Sequence, residues 1–283
     1  MRLFLYQLRG ELKKLFSRRR TYIGYVVFLL FEAVLLLVFQ LEHSKEEMAE
    51  LLTENGLAFG DYYSSLTVTY WVMGFSMFML GSIYFALVAG DIVAKESEDG
   101  NLRLVLVRPV SRLRVLLLKY VAVIIFTVTF VIFVGITGYI MSVIALGFEG
   151  GLFVWNYEMK VFAAYPDWGE GAGRLVMAAL LIGVSMCTLS TIAFAFSCLK
   201  IKPAAATILA LSVLFVDFVL LRFPFMQSYR DLFVTHRMSN WVYVLENNLS
   251  WAKIGESYAF LGGLNVTLFV AGWMAFQLRD FKT

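Results

Sequence analysis

The sequence predicts an all-α integral membrane fold with six transmembrane helices and an N-terminal amphipathic helix. Three observations predict it. The chain is 60% hydrophobic and only 16% charged, with a mean hydropathy of +0.75, whereas a soluble domain carries about a quarter charged residues. Its apolar residues fall into blocks of ~20 or more, the length that crosses a hydrocarbon core. The basic residues between those blocks alternate from sparse to dense.

Residues 2–20 place Leu5, Leu8, Leu12 and Leu15 at helical spacing, with Arg9, Lys13 and Lys14 between them. This pattern suits an elbow helix lying in the membrane interface. Arg18, Arg19 and Arg20 then mark the headgroup boundary, and with no small-x-small cleavage site after Leu41 the first span is expected to be retained. The spans are expected at Thr21–Leu41, Leu66–Gly90, Val121–Phe148, Leu175–Leu199, Pro203–Leu221 and Ser257–Leu278. Too little chain remains for a separate soluble domain, so residues 1–283 are read as one transmembrane domain.

Between the spans, SKEEMAELLTENG predicts a short helix capped by Ser44, with Glu47 completing the capping box and Gly56 ending it. Trp155, Tyr157, Tyr165 and Trp168 suggest an aromatic belt. The turn Leu199–Pro203 forces an antiparallel helix pair, with Pro203 suited to a first helical turn. Residues 222–256, with Phe223, Phe225, Phe233, Trp241 and Trp251, are too apolar for a solvated loop. They are read as short helices capping the outer end of the bundle or dipping into the outer leaflet. Cys187 and Cys198 both fall in the fourth span, where small packing residues are the better reading than a disulfide or metal site.

Six alternating spans put both termini on one side with seventeen of the 24 Lys and Arg residues, and seven on the other. The basic side is cytoplasmic by the positive-inside rule, which expects a plasma or inner membrane protein with both termini inside. The net charge of +3 is then a membrane-surface signature rather than a sign of nucleic-acid binding.

The catalytic motifs that such a chain could carry are missing. There is no Gly-Lys dipeptide and hence no P-loop, no HExxH and no GxSxG. His43 and His236 are the only histidines, a weak basis for a metal site. Glu32 and Asp217 are the only ionisable groups inside the expected spans. Such groups are expensive in a membrane and usually functional, so they are candidates for a translocation path or a cation site. The alternative is that each is neutral or bonded to a neighbouring helix. Asp217 and Arg222, five residues apart, do not share a helix face and are not paired here.

The segment Asp91–Lys119, DIVAKESEDGNLRLVLVRPVSRLRVLLLK, is a charged insert between the second and third spans. DIVAKESEDG reads as a short polar helix starting near Asp91 and stopped by Gly100, with Glu96, Glu98 and Asp99 exposed as a charged knob. Ser111 is a candidate N-cap for the next helix. Positive-inside enrichment explains the arginines but not the acidic helix or the apolar LRLVLV. The order of acidic helix, Gly100, Leu102-Arg103, an apolar run, Arg108-Pro109, Ser111-Arg112 and Lys119 resembles the cytoplasmic loop of permease subunits of ABC transporters of the exporter-like second type. The rest of the layout is similar too: an elbow helix, six spans, and an apolar outer segment before the sixth.

The resemblance implies that residues 91–110 form a coupling helix docking into a separate ATPase, carried here by Asp91, Lys95, Glu96, Glu98, Asp99, Gly100, Arg103 and Arg108. It implies two ABC ATPase copies that bind ATP and Mg, with no cofactor in this chain, and a second permease forming a homodimer or a heterodimer. On this reading the chain is a non-catalytic permease that couples ATP hydrolysis in its partner to export of a substrate. An alternative is transmission of ATP-driven motion to an extracytoplasmic partner without solute transport. An intramembrane enzyme built on Glu32 and Asp217 is disfavoured by the missing motifs.

Overall fold

A computed structural model describes residues 2–102 and 110–279; Arg103 and Arg108 of the expected coupling segment lie outside them. The described chain is helical apart from one β-hairpin. In chain order the helices are α1 (Arg2–Phe16), α2 (Arg19–Gln40), α3 (Glu42–Glu54), α4 (Phe59–Tyr62), α5 (Ser65–Ser76), α6 (Ser82–Glu98), α7 (Arg112–Leu146), α8 (Trp168–Ser197), α9 (Pro203–Leu221), α10 (Val234–Ser239) and α11 (Trp251–Gln277). The hairpin pairs β1 (Leu152–Asn156) with β2 (Val161–Tyr165) in antiparallel register, Leu152 opposite Tyr165 and Asn156 opposite Val161.

Six stretches are long and apolar enough to cross a membrane: α2, the continuous run Ser65–Glu98, α7, α8, α9 and α11. The second is α5 and α6 joined by a π-helical turn, Met77–Gly81, the kind of single-turn widening often found at functional sites. At 35 residues α7 is the longest helix, roughly 50 Å at 1.5 Å per residue, so it outruns a hydrocarbon core of ~30 Å. The packing centre is α8. It lies against α6, α7, α9 and α11, and its Ile182, Leu189, Ala193 and Phe194 are buried in the main core with Phe85, Ala89, Phe126 and Phe130. By contrast α2, α9 and α11 keep most of their apolar surface outward.

Local signals explain the boundaries. The Ser111 hydroxyl accepts from the Arg114 N–H and caps α7; Asp167 does the same for α8 through Glu170 N–H. Pro203 opens α9. Gly100 takes φ +73°, the left-handed conformation that ends a helix.

Two expectations are corrected, and one group of residues takes a form that was not expected. The helix expected to begin near Asp91 is the last part of α6, which runs unbroken from Ser82 to Glu98. The helix expected to be capped by Ser44 begins at Glu42, with no side-chain cap, and pairs Lys45 with Glu42 and His43 with Glu47 on its surface. Trp155, Tyr157 and Tyr165 belong to the hairpin and its turn. β2 alternates buried Val161, Ala163 and Tyr165 with more open Phe162 and Ala164, the period-2 signature of a half-covered strand. Between α9 and α11 the chain forms a 3-10 helix at Pro224–Leu232, then α10, then a 3-10 helix at Asn240–Leu245.

Candidate functional site: a charge clamp below the segment between α6 and α7

α6 buries Phe85, Ala89 and Ile92 on one face. Spacings of three and four residues carry that face on to Glu96, so Glu96 is buried, at 3% exposure. This corrects the expectation of an exposed Glu96. Its carboxylate meets Lys119 Nζ of α7 at 2.6 Å, Lys14 of α1, and Arg18 at 3.7 Å. Lys119 is equally enclosed and also donates to Glu11 of α1 at 3.0 Å. One turn and a half earlier on α6, buried Asp91 pairs with Arg20 at the start of α2. Lys95 is half-buried beside it. Glu98 and Asp99 are exposed.

Three carboxylates and four cations thus join α1, α2, α6 and α7 at the end of the bundle that carries both described chain ends. A carboxylate taken out of water is strongly penalised unless its lone pairs are filled; Glu96 fills them from Lys119 on α7, Lys14 on α1 and Arg18 in the link between α1 and α2. Charge-assisted contacts of this kind are roughly twice as strong as neutral ones.

The flanks of the segment between α6 and α7 are fastened as well. Leu102 is fully buried in the main core. Arg114 Nε donates to Gln7 Oε1 of α1 at 3.0 Å. Arg112 donates to the carbonyls of Gln277 and Arg279 at 2.9 and 3.0 Å. Arg279 donates to Ser97 Oγ of α6 at 2.7 Å and to the Cys198 carbonyl at the end of α8. These bonds tie the end of α6 and the start of α7 to α1, α8 and α11. Sequence reasoning missed Glu11, Lys14 and Arg279 as parts of the site. The helical phase from Phe85 to Glu96 was the signal that a buried partner for Glu96 had to exist.

The other two candidates lie apart from this cluster. Asp217, near the end of α9, accepts from Val234 N–H at 3.1 Å, Thr235 N–H at 2.8 Å and the Thr235 hydroxyl at 2.5 Å. Its carboxylate holds the start of α10 against α9. Arg222 instead stacks over Phe218, 4.3 Å from the ring centre. Glu32, in the middle of α2, is fully buried against α7 and α5, and neither carboxyl oxygen has a hydrogen-bond partner. Among the described residues no group of three His, Cys, Asp or Glu side chains is arranged to hold a metal ion.

No curated protein matches the chain in a sequence search. A family model described as ABC-2 family transporter protein matches residues 8–263, a stretch that includes Glu11, the α6–α7 segment and five complete spanning helices. Membrane components of this family are generally non-catalytic and pair with an ABC ATPase subunit. A six-helix membrane bundle over nearly the whole length of that match places this chain in the family: it belongs to the ABC-2 family transporter proteins, as a membrane permease component.

Proposed function

We propose that this chain couples ATP hydrolysis by a separate ABC ATPase to export of a substrate, with the ATPase docking on the segment 91–110. ATP and Mg belong to that partner, of which two copies serve a pair of permeases, and the docking end, with both termini, faces the cytoplasm. The observation that carries the reading is the buried Glu96–Lys119 pair and its ties to Glu11, Lys14 and Arg18. A docking element transmits force only if its base is stiff, and contacts that differ between nucleotide states are what shift the bundle. Exposed Glu98 and Asp99 supply the docking surface, and the clamp supplies the stiffness. The charge asymmetry of the loops supports the orientation.

In this reading Asp217 locks α9 to α10, and Glu32 is the ionisable group within the spans that remains open to a transport role. Replacing Glu98 and Asp99 with alanine weakens ATPase association. Replacing Glu96 with alanine leaves association intact and uncouples hydrolysis from transport. Co-purification and vesicle transport measured together test this; coupled transport by the Glu96→Ala protein at the native rate contradicts it.

A second reading has its own support: motion is passed to an extracytoplasmic partner and no solute crosses. Phe223, just before the 3-10 stretch after α9, and Phe225, Tyr229 and Leu232 on it are all exposed, apolar surface suited to contact with another body. Reconstituted vesicles that hydrolyse ATP without solute movement favour it.

A further inference from the structure

We propose that Glu32 is a proton-binding site, carrying a proton while the seam between α2, α5 and α7 is closed and exchanging it when the seam opens. This rests on the membrane bundle and not on the ATPase reading, so either can fail without the other.

The seam can be followed level by level. A Cβ built on Gly138 of α7 would lie 3.6 Å from Glu32 Oε1 and 3.6 Å from Val72 Cγ1 of α5, so the carboxyl is wedged between these two helices. One turn on, Leu36 packs with Val68 and Met141; beyond that lie Phe39, Tyr63 and Leu146. The Thr137 hydroxyl donates to the Phe133 carbonyl at 3.0 Å and is close enough to Glu32 to donate to it instead. With Thr137 turned to Phe133, neither oxygen of Glu32 has a hydrogen-bond partner among the described residues.

Nothing nearby compensates a charge. α5 carries no charged residue, α7 none after Lys119, and α2 none after Arg20 apart from Glu32 itself. The other titratable side chains on these stretches are phenols: Tyr22 and Tyr25 on α2, Tyr70 on α5, Tyr120 and Tyr139 on α7. α3 meets only the far end of α2 and places Glu42, His43 and Lys45 at least ten residues along the chain. α1 packs at the opposite end, where its Glu11 and Lys14 engage the clamp while Arg9 and Lys13 are exposed.

An isolated ionised carboxylate in such surroundings is too costly to persist, and the group takes up a proton instead. The contrast with Glu96 makes the point within one chain: there three cations surround the carboxylate, here none does. Along the same seam the hydroxyls of Ser142 on α7 and Ser65 on α5 are also buried without hydrogen-bond partners, and each such group calls for a physical explanation. For the proton to leave, α2 must part from Gly138 and Val72, so any motion that opens this seam carries proton release or uptake with it.

Infrared difference spectroscopy of the full chain in lipid nanodiscs tests this. At neutral pH the native protein shows a protonated-carboxyl C=O band that is lost in Glu32→Gln and displaced in Glu32→Asp. In deuterated buffer that band shifts only on the timescale of amide exchange in α2. The melting temperature of Glu32→Gln equals that of the native chain. If Glu32→Gln removes a carboxylate band instead, or raises the melting temperature by relieving a buried charge, or if the deuterium shift is complete on mixing, the proposal is overturned. Should Glu32→Gln fail to fold, the absence of a displaced acid band in Glu32→Asp overturns it equally.

Discussion

At the end of the bundle carrying the termini, three carboxylates meet four cations across α1, α2, α6 and α7. At the opposite end the helices are tied to the β-hairpin and its neighbours mostly through hydroxyls and backbone carbonyls. Ser64 Oγ donates to the Gly151 carbonyl at 2.5 Å, Thr67 Oγ1 accepts from Phe153 N–H at 2.9 Å, Tyr63 donates to the Phe39 carbonyl, and Tyr165 donates to the Leu245 carbonyl at 3.0 Å. Arg174 joins this network by donating to the Val244 carbonyl at 3.0 Å. The cap is held mainly by directional bonds to backbone, with Arg237–Glu256 at 2.8 Å as an ion pair on the same side of the bundle. The clamp is held by charged pairs taken out of water, which stay put only while every partner is in place. One end is thus a cap fixed by backbone geometry and the other a clamp stiffened by buried charge, at the base of the segment proposed to take the load.

The largest effect is expected from unbalancing the clamp. Lys119→Met removes the buried cation shared by Glu96 and Glu11 and leaves Glu96 only Lys14 and Arg18, so a loss of up to about 3 kcal/mol is expected, the lower end for breaking a buried pair from one side. The double variant Lys119→Met with Glu96→Gln recovers much of that loss, and unfolding in detergent compares them. If the single variant is as stable as the native chain, the clamp holds nothing together.

The cap answers to steric change rather than charge. A Cβ on Gly151 would lie 2.2 Å from the Tyr165 carbonyl oxygen and 3.0 Å from Pro166 Cα. Both are backbone atoms that cannot step aside, so Gly151→Ala is expected to cost about 1–3 kcal/mol, the range for overpacking. Next, Ser64→Ala removes the N-cap of α5 and its bond to Gly151. A loss of about 1–2 kcal/mol follows, readable as a lower melting temperature. Asp217→Ala leaves Val234 N–H and Thr235 N–H without their acceptor and costs about 1 kcal/mol in this half-buried setting, with faster amide exchange at both positions.

The smallest effect is one of pH. Burial, and next the Arg230 charge, hold the His236 imidazole below its ordinary value of 6.5, against an upward pull from Asp231. A His lowered in the folded state contributes stability that is complete above the unfolded value and lost as pH falls through the folded one. Melting temperature therefore declines below about pH 6.5, and His236→Gln flattens that decline. An unchanged slope in the variant assigns the pH response elsewhere.

Much of this architecture could be read from residues alone. The apolar blocks predicted all six spanning helices, because a membrane imposes length and apolarity on each helix separately. Pro203, Ser111 and Gly100 act as expected because capping chemistry is local. The hairpin was obscured because Trp155, Tyr157 and Tyr165 fit a membrane belt as well as a strand; only the alternation in VFAAY separates the two. Glu96 was misplaced because a run of charges suggests solvent. Its orientation is set by the helical phase of α6, and its partners Lys14 and Lys119 are 82 and 23 residues away in the chain. No local pattern reveals contacts at such separations.

Photocrosslinking tests whether the ATPase docks at the clamped end, as proposed. A crosslinking residue placed at exposed Asp99, and another at exposed Glu46 on α3, are compared in the complex with the partner ABC ATPase. ATPase adducts are expected at Asp99 and none at Glu46. Adducts at Glu46 with none at Asp99 would place the ATPase at the cap and contradict the proposal.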